Sequence, residues 1–291
     1  MLTWAWHSAV IAVTGLAGSA WVLAGVSAPV ARQWHRRVLT AATIAAAALV
    51  LAVLARLWLQ TFEAFGGDEP LSWLLVRVIV TETRWGWGWT WQALGAGLCL
   101  VTALMARRNT AHWPLLLASA VATAFATSVT GHAVGMDDHV WITVVAQGTH
   151  VIAAGLWIGT LGGLLMVTYD AGEEEPDTEA FADAFTRFSR LAQPAVALLV
   201  AGGLVATWRH VGAVSNLATP YGVVLGLKVA AFVGAALCGL YNWRVLGPRL
   251  RTQPRAAAAL SRVALVEVTL GAIAIALTSI IGTLPMPGHD H

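Results

Sequence analysis

The chain has 291 residues, 58% of them hydrophobic and 11% charged, with a mean hydropathy of +0.70 and a formal net charge of +2. Soluble domains carry about a quarter of their residues as charges, so the composition excludes an ordinary soluble enzyme and marks an integral membrane protein. The small net charge singles out no partner, and two cysteines make no disulfide framework.

Apolar runs predict eight spans, at roughly 2–28, 38–60, 86–106, 114–131, 141–168, 191–209, 222–243 and 259–282. The fold class expected is therefore all-α, a polytopic bundle of eight transmembrane helices. The first run lacks a basic n-region and is longer than a signal core, so it reads as a permanent span. Residues 63–84 form a longer connector, with Gly66, Gly67 and Pro70 followed by an apolar stretch holding Arg77 and Glu82. That stretch is expected as a helix in the interface. Between spans five and six an acidic loop, Glu173 to Asp177, precedes an amphipathic piece, FADAFTRFSR. Cys99 and Cys238 fall inside spans, where small buried residues are the simplest reading and soft Cu(I) ligands the other.

Arginine placement sets the orientation. Connectors after spans one, three, five and seven hold Arg32, Arg36, Arg37, Arg107, Arg108, Arg187, Arg190, Arg244, Arg249, Arg251, Arg255 and Arg262, against Arg77, Arg84 and Arg209 on the other side. The positive-inside rule puts both termini outside. Spans one to four (1–131) laid on spans five to eight (141–282) share short matches. Thr83-Arg84-Trp85-Gly86 before span three parallels Thr219-Pro220-Tyr221-Gly222 before span seven. Two parallel four-helix repeats in a single transmembrane domain are the expectation, with 283–291 as a short outer tail.

Histidine placement carries the functional signal. His7, His132, His139, His210, His289 and His291 fall at outer segment ends, and His150 lies inside span five. Imidazole is the commonest ligand for copper, zinc and haem iron. An ionisable residue at the depth of His150 is costly and marks function. It opens the run HVIAAGLWIG, whose Gly155 and Gly159 form a face that another helix can approach closely. The loop after His132 adds Met136, Asp137 and His139, a thioether, a carboxylate and an imidazole that suit copper. The tail repeats that vocabulary in Met286, His289, Asp290 and His291. His7 gains weight from its ability to converge with His132 and His150. Lys228 is the only lysine, in span seven, and Glu267 is the carboxylate of span eight. A buried pair or a relay is open for these two, and Asn242 ends span seven as a further residue of an inner path. No phosphate-binding glycine loop, Ser/His/Asp arrangement or nucleic-acid patch occurs, so the reading is not an enzyme.

These pieces resemble the copper resistance protein D (CopD) family. WAWHSAV, TRWGWGW, GHA at 131–133, THVIAAGLWIGTLGGL, RFSRLAQP, TPYGVVLGLK, NWRVLGPRL and the Glu267 region match in order across nearly the whole sequence. The resemblance implies eight spans in the bacterial inner membrane and movement of copper across it, from periplasm toward cytoplasm. It also implies a periplasmic CopC-type copper-binding partner, expected here as a separate protein because this one opens on a span. Family members often carry another histidine shortly before the one matching His150, where this sequence has Gln147. The first-span histidine also resembles that of HemJ-type proteins, which bind haem b and act as oxidoreductases. This leaves a haem-binding redox protein, with His7 and His150 as axial ligands, as the alternative, beside a copper sensor or scaffold that transports nothing. The sequence assigns no oligomeric state.

Overall fold

The computed structural model describes residues 2–66, 72–127, 140–169, 177–211, 218–282 and 284. All the long elements among them are helices: α1 Leu2–Ala24, α2 Pro29–Phe65, α3 Trp73–Glu82, α4 Arg84–Arg108, α5 Trp113–Ala126, α6 Val140–Ala154, α7 Thr160–Tyr169, α8 Thr178–Val211, α9 Pro220–Tyr241 and α10 Pro254–Ile281. A wide turn, Gly155–Gly159, joins α6 and α7 into one rod, and a second, Asn242–Leu246, continues α9. Each is a π turn. Thr160 N–H reaches back to the Gly155 carbonyl, and Gly247 N–H to that of Asn242. Lipid offers the backbone no hydrogen bonds, so a sequence this apolar satisfies its own amides as helix. Side-chain hydroxyls do the same. Thr43, Thr61 and Ser189 donate to the carbonyls of Leu39, Leu57 and Phe185 one turn back.

Among the described residues six helices are long and apolar enough to cross a membrane: Ala5–Ala24, Pro29–Phe65, Arg84–Arg108, Val144–Thr168, Pro220–Arg249 and Arg255–Ile281. The helix Thr110–Ala126 is apolar but shorter, and it occupies the place expected of span four. Span six was expected to follow an amphipathic connector. Instead the connector and the span form one 34-residue helix, α8, with Pro194 inside it. The amphipathic half is held down by packing. Phe181, Phe185 and Phe188 are buried, and Arg187 Nε donates to the Val22 carbonyl at 3.1 Å while its guanidinium stacks over Trp21. A cation thus adds a second donor at the C-terminal end of α1, to a carbonyl that also accepts from Gly25 N–H. Arg251 pairs with Asp183 on the exposed face of the same half. The connector expected as an interfacial helix is α3, started by Ser72, whose hydroxyl accepts from Leu75 N–H. Its Val76 and Ile79 face the bundle while Trp73 and Leu74 face out. Thr83 caps α4 through Gly86 N–H at 2.9 Å, and Thr219 caps α9 through Gly222 N–H at 3.2 Å. The two matched segments therefore do the same local job.

Helix α1 is the hub, packed on α2, α5, the α6–α7 rod, α8 and α10. Ile44, Leu51, Leu94, Leu98, Leu227, Leu237, Leu265 and Ile273 lie exposed on α2, α4, α9 and α10, the apolar rows a lipid-facing surface needs. The tightest contact is between α1 and the first π turn. A Cβ on Gly15 would lie 2.2 Å from the Gly159 carbonyl carbon, and one on Gly155 would lie 2.6 Å from Thr14 Cβ. Ser19 Oγ donates to the Gly15 and Thr160 carbonyls, and Thr160 Oγ1 to that of Gly15. The small face read from Gly155 and Gly159 therefore meets a second one on α1. Gly15→Leu should cost about 1–3 kcal/mol or more, the usual penalty of overpacking. Gly97→Leu, where a Cβ meets nothing within 4 Å, should leave the melting temperature nearly unchanged. Equal melting temperatures for the two purified variants would contradict the contact.

Candidate functional site

Two sites follow from this packing, one at the N-terminal end of α1 and one midway along α10. In the first, α1 and the α6–α7 rod run in the same direction. The Ile11 carbonyl lies against Gly155 and Gly159, Gly15 against Gly159, and Ser19 against Gly163. Followed toward the N-terminus, the same register carries His7 toward the stretch of α6 that holds His150. His150 is half-buried, and a Cβ on Gly202 of α8 would lie 4.0 Å from its Nδ1. Lys228 of α9 is near enough for its charge to act on the imidazole. Among the described residues His150 has no hydrogen-bond partner, so nothing there occupies its ring nitrogens.

His132, Met136, Asp137 and His139 in the loop, and His289 and His291 in the tail, fall outside the described residues. Among the described residues no three His, Cys, Asp or Glu side groups come together as a metal-binding group. Cys99 is buried, with its thiol 3.3 Å from Thr123 Oγ1, a contact of the packed interior.

Near the same end of α1 stands a residue that the sequence reading passed over. The Arg56 guanidinium lies 5.9 Å from the ring of Trp6 and 6.0 Å from that of Trp85, within cation–π range. Its Nη1 donates to Gln92 Oε1 at 2.7 Å, and Gln92 Nε2 donates to the Ala126 carbonyl at 3.2 Å. No carboxylate pairs with Arg56 among the described residues. Trp6 is fully buried and its indole N–H has no hydrogen-bond partner among them. The signal was present in the sequence, since an arginine inside the apolar run of span two is costly by position alone.

The second site is built on Glu267, which is 1% exposed. Trp157 Nε1 donates to its Oε1 at 2.7 Å, and Asn242 Nδ2 donates to its Oε2 at 3.2 Å. Both donors come from π turns, Trp157 from the first and Asn242 from the second. Such turns recur at functional sites because the extra residue re-aims side chains. Phe232 packs edge-on against Trp157, and Gly239 leaves room for the carboxylate, since a Cβ there would lie 2.9 Å from Oε1. Asn242 is itself buried, and its Oδ1 has no hydrogen-bond partner among the described residues. The pairing of Lys228 with Glu267 left open by the sequence does not form. Glu267 meets Gly239 of α9 and Asn242 of the turn after it, about 16 and about 21 Å along the helix from Lys228 at the helical rise. Lys228 lies instead within electrostatic reach of His150. Trp157 had been passed over as one more apolar residue of the run. Only its indole N–H, a donor in mid-span, distinguished it.

Trp157→Phe keeps the ring packing and removes the donor to Oε1. The loss should lower stability by about 1–3 kcal/mol, the cost of an unsatisfied buried acceptor. Thermal unfolding of the purified variant measures it, and an unchanged melting temperature would dismiss this hydrogen bond as a structural contact.

Comparison with known proteins bears on both sites. Residues 1–140 match the copper resistance protein D-like N-terminal domain, and residues 182–281 match copper resistance protein D. His7 and Arg56 fall in the first match and Lys228, Asn242 and Glu267 in the second, while His150 and Trp157 lie between them. No curated protein and no solved structure matches the sequence. The two matches follow one another in order and together span most of a helical, multi-pass membrane protein, and on these grounds the chain belongs to the copper resistance protein D family.

Proposed function

We propose that this protein takes up copper at the outer end of the bundle and moves it across the bacterial inner membrane, from periplasm to cytoplasm. His7 and His150, with His132 from the adjoining loop, hold the ion. Met136, Asp137 and His139, and the tail residues His289 and His291, collect it. Glu267, Asn242 and Lys228 lie along the way inward. Eight spans in two parallel four-helix units put both termini in the periplasm, where a CopC-like copper-binding protein delivers the cargo. Copper is a substrate in this reading, and no catalysis is required of the protein. The observation that supports it is the parallel packing of α1 on the α6–α7 rod through Gly15, Gly155 and Gly159, the two elements that carry His7 and His150.

A second reading has its own observation. Arg56 and Lys228 put two positive charges near the same end, and neither has a carboxylate partner among the described residues. Fixed cations repel a bare metal ion and favour a ligand that carries anions. Haem b, with its propionates, meets that condition, and His7 and His150 are the residues that would ligate it. When bound it would supply one-electron chemistry.

One preparation separates the readings. Metal analysis and an absorption spectrum of the purified protein should show bound copper without a Soret band. His150→Ala should weaken copper binding by at least about the tenfold that loss of a supporting hydrogen bond at a metal site costs. His112→Ala, in the 3-10 turn at the other end, should change it little. Equal affinity in both variants would remove the outer site. A Soret band with stoichiometric iron would replace the copper reading by the haem one.

A further inference from the structure

We infer that Glu267 is a proton-binding site, and that Asn242 serves both of its protonation states by turning its amide. The argument is one of donors and acceptors. An ionised carboxylate only accepts, and here it takes Trp157 Nε1–H on Oε1 and Asn242 Nδ2–H on Oε2. No cation pairs with it among the described residues. From α9 the Cys238 thiol is near enough to sense its charge, and among the described residues no other titratable or charged side group acts on it, Arg244 and Arg249 of the turns after α9 included. A buried charge with two neutral donors and no counter-ion is held at high cost.

The neutral form suits the same cage equally well. Protonation adds an Oε2–H bond, with the proton drawn from water and returned to water on release. Oε1 keeps its bond from Trp157 Nε1, a group that can only donate. Oε2–H now needs an acceptor, and the one at hand is Asn242 Oδ1, buried and unpartnered among the described residues while Nδ2 faces the carboxylate. A half-turn about the Asn242 χ2 torsion exchanges the two amide atoms with almost no change of shape. An aspartate at this position would add a second charge, and a leucine would serve neither state. The orphaned oxygen is thus what distinguishes a proton-exchange site from a fixed structural bond. Such a site inside the bundle would let a proton gradient act on it, a role that does not depend on the identity of the cargo.

Infrared difference spectroscopy against pH tests this on the full-length protein in lipid, without copper. A protonated-carboxyl C=O band should rise as pH falls and be absent from Glu267→Gln. In Glu267→Asp, which keeps a carboxyl group, the band should persist at a shifted frequency, so the assignment survives a poorly folded Gln variant. Isotope-labelled asparagine should show a shift of its amide carbonyl band with the same midpoint, lost in Asn242→Leu. Asn242→Leu should also raise the midpoint by about one pH unit, because the hydrogen bond it removes from the charged carboxylate is stronger than the one it removes from the neutral acid. A carboxyl band unaffected by Glu267→Gln and Glu267→Asp overturns the site. An asparagine signal that stays fixed while the carboxyl titrates overturns the amide turn. Displacement of the band by sodium or potassium at constant pH would make the ligand a metal cation rather than a proton. Failure of copper binding with an intact carboxyl titration would defeat the proposed function and leave this inference standing.

Discussion

The backbone contact between α1 and the first π turn is the constraint on which the rest depends. In lipid no hydrophobic force drives helices together, so association rests on close packing and hydrogen bonds. Gly15 against Gly159 provides the packing, and the hydroxyls of Ser19 and Thr160, donating to the carbonyls of Thr160 and Gly15, provide the bonds. The contact fixes the two helices in parallel and in one register. That register decides the level of His7 relative to His150 at one end. It also decides where the α1 C-terminus meets Arg187 at the other.

The π turns connect packing to chemistry. Matching α1 to the α6–α7 rod from His7 and His150 onward, Gly15, Gly18 and Ser19 fall on Gly159, Gly162 and Gly163 only if the rod holds one extra residue in between. A π turn is how a helix absorbs one extra residue, and Gly155–Gly159 lies in that interval. The wide turn swings Trp157 toward α10, and the turn after α9 brings Asn242 to the same carboxylate. Helix α9 otherwise packs chiefly on α10. Glu267 therefore ties an outlying hairpin to the central rod, and its polarity is specific because each bond can form in only one relative position of three helices. Replacing one donor leaves the others in a low-dielectric interior, where unpaired groups are most costly.

Electrostatics divides the two sites. Arg56 and Lys228 make the His7 end positive, while the carboxyl group midway along α10 has no cation partner among the described residues. Arg56 cannot lose its charge as a buried lysine can, so it must stack, hydrogen bond or meet an anion. Trp6, Trp85 and Gln92 supply the first two. Any ligand held by His7 and His150 has to accommodate that fixed charge.

Much of the fold was legible because lipid imposes simple rules. Long apolar runs must be helices, and most helix positions followed from hydropathy. The caps at Thr83 and Thr219 and the small face at Gly155 and Gly159 are local, so residue type and spacing disclosed them. The continuity of α8 was not legible, since an amphipathic run looks the same as a connector until Phe181, Phe185 and Phe188 find a surface to bury against. His7 and His150 could be nominated from residue type and position, yet whether they share a level depends on which helix packs on α1 and in what register. The partner of Glu267 was left open for the same reason. Charge complementarity nominated Lys228, whereas helix packing and two wide turns delivered Trp157 and Asn242. Sequence by itself determined a helical membrane protein and the residues able to carry chemistry, because both follow from the properties of single residues. Only the tertiary structure decided which of those residues meet, because that depends on the relative positions of helices held together by contacts of glycine with glycine.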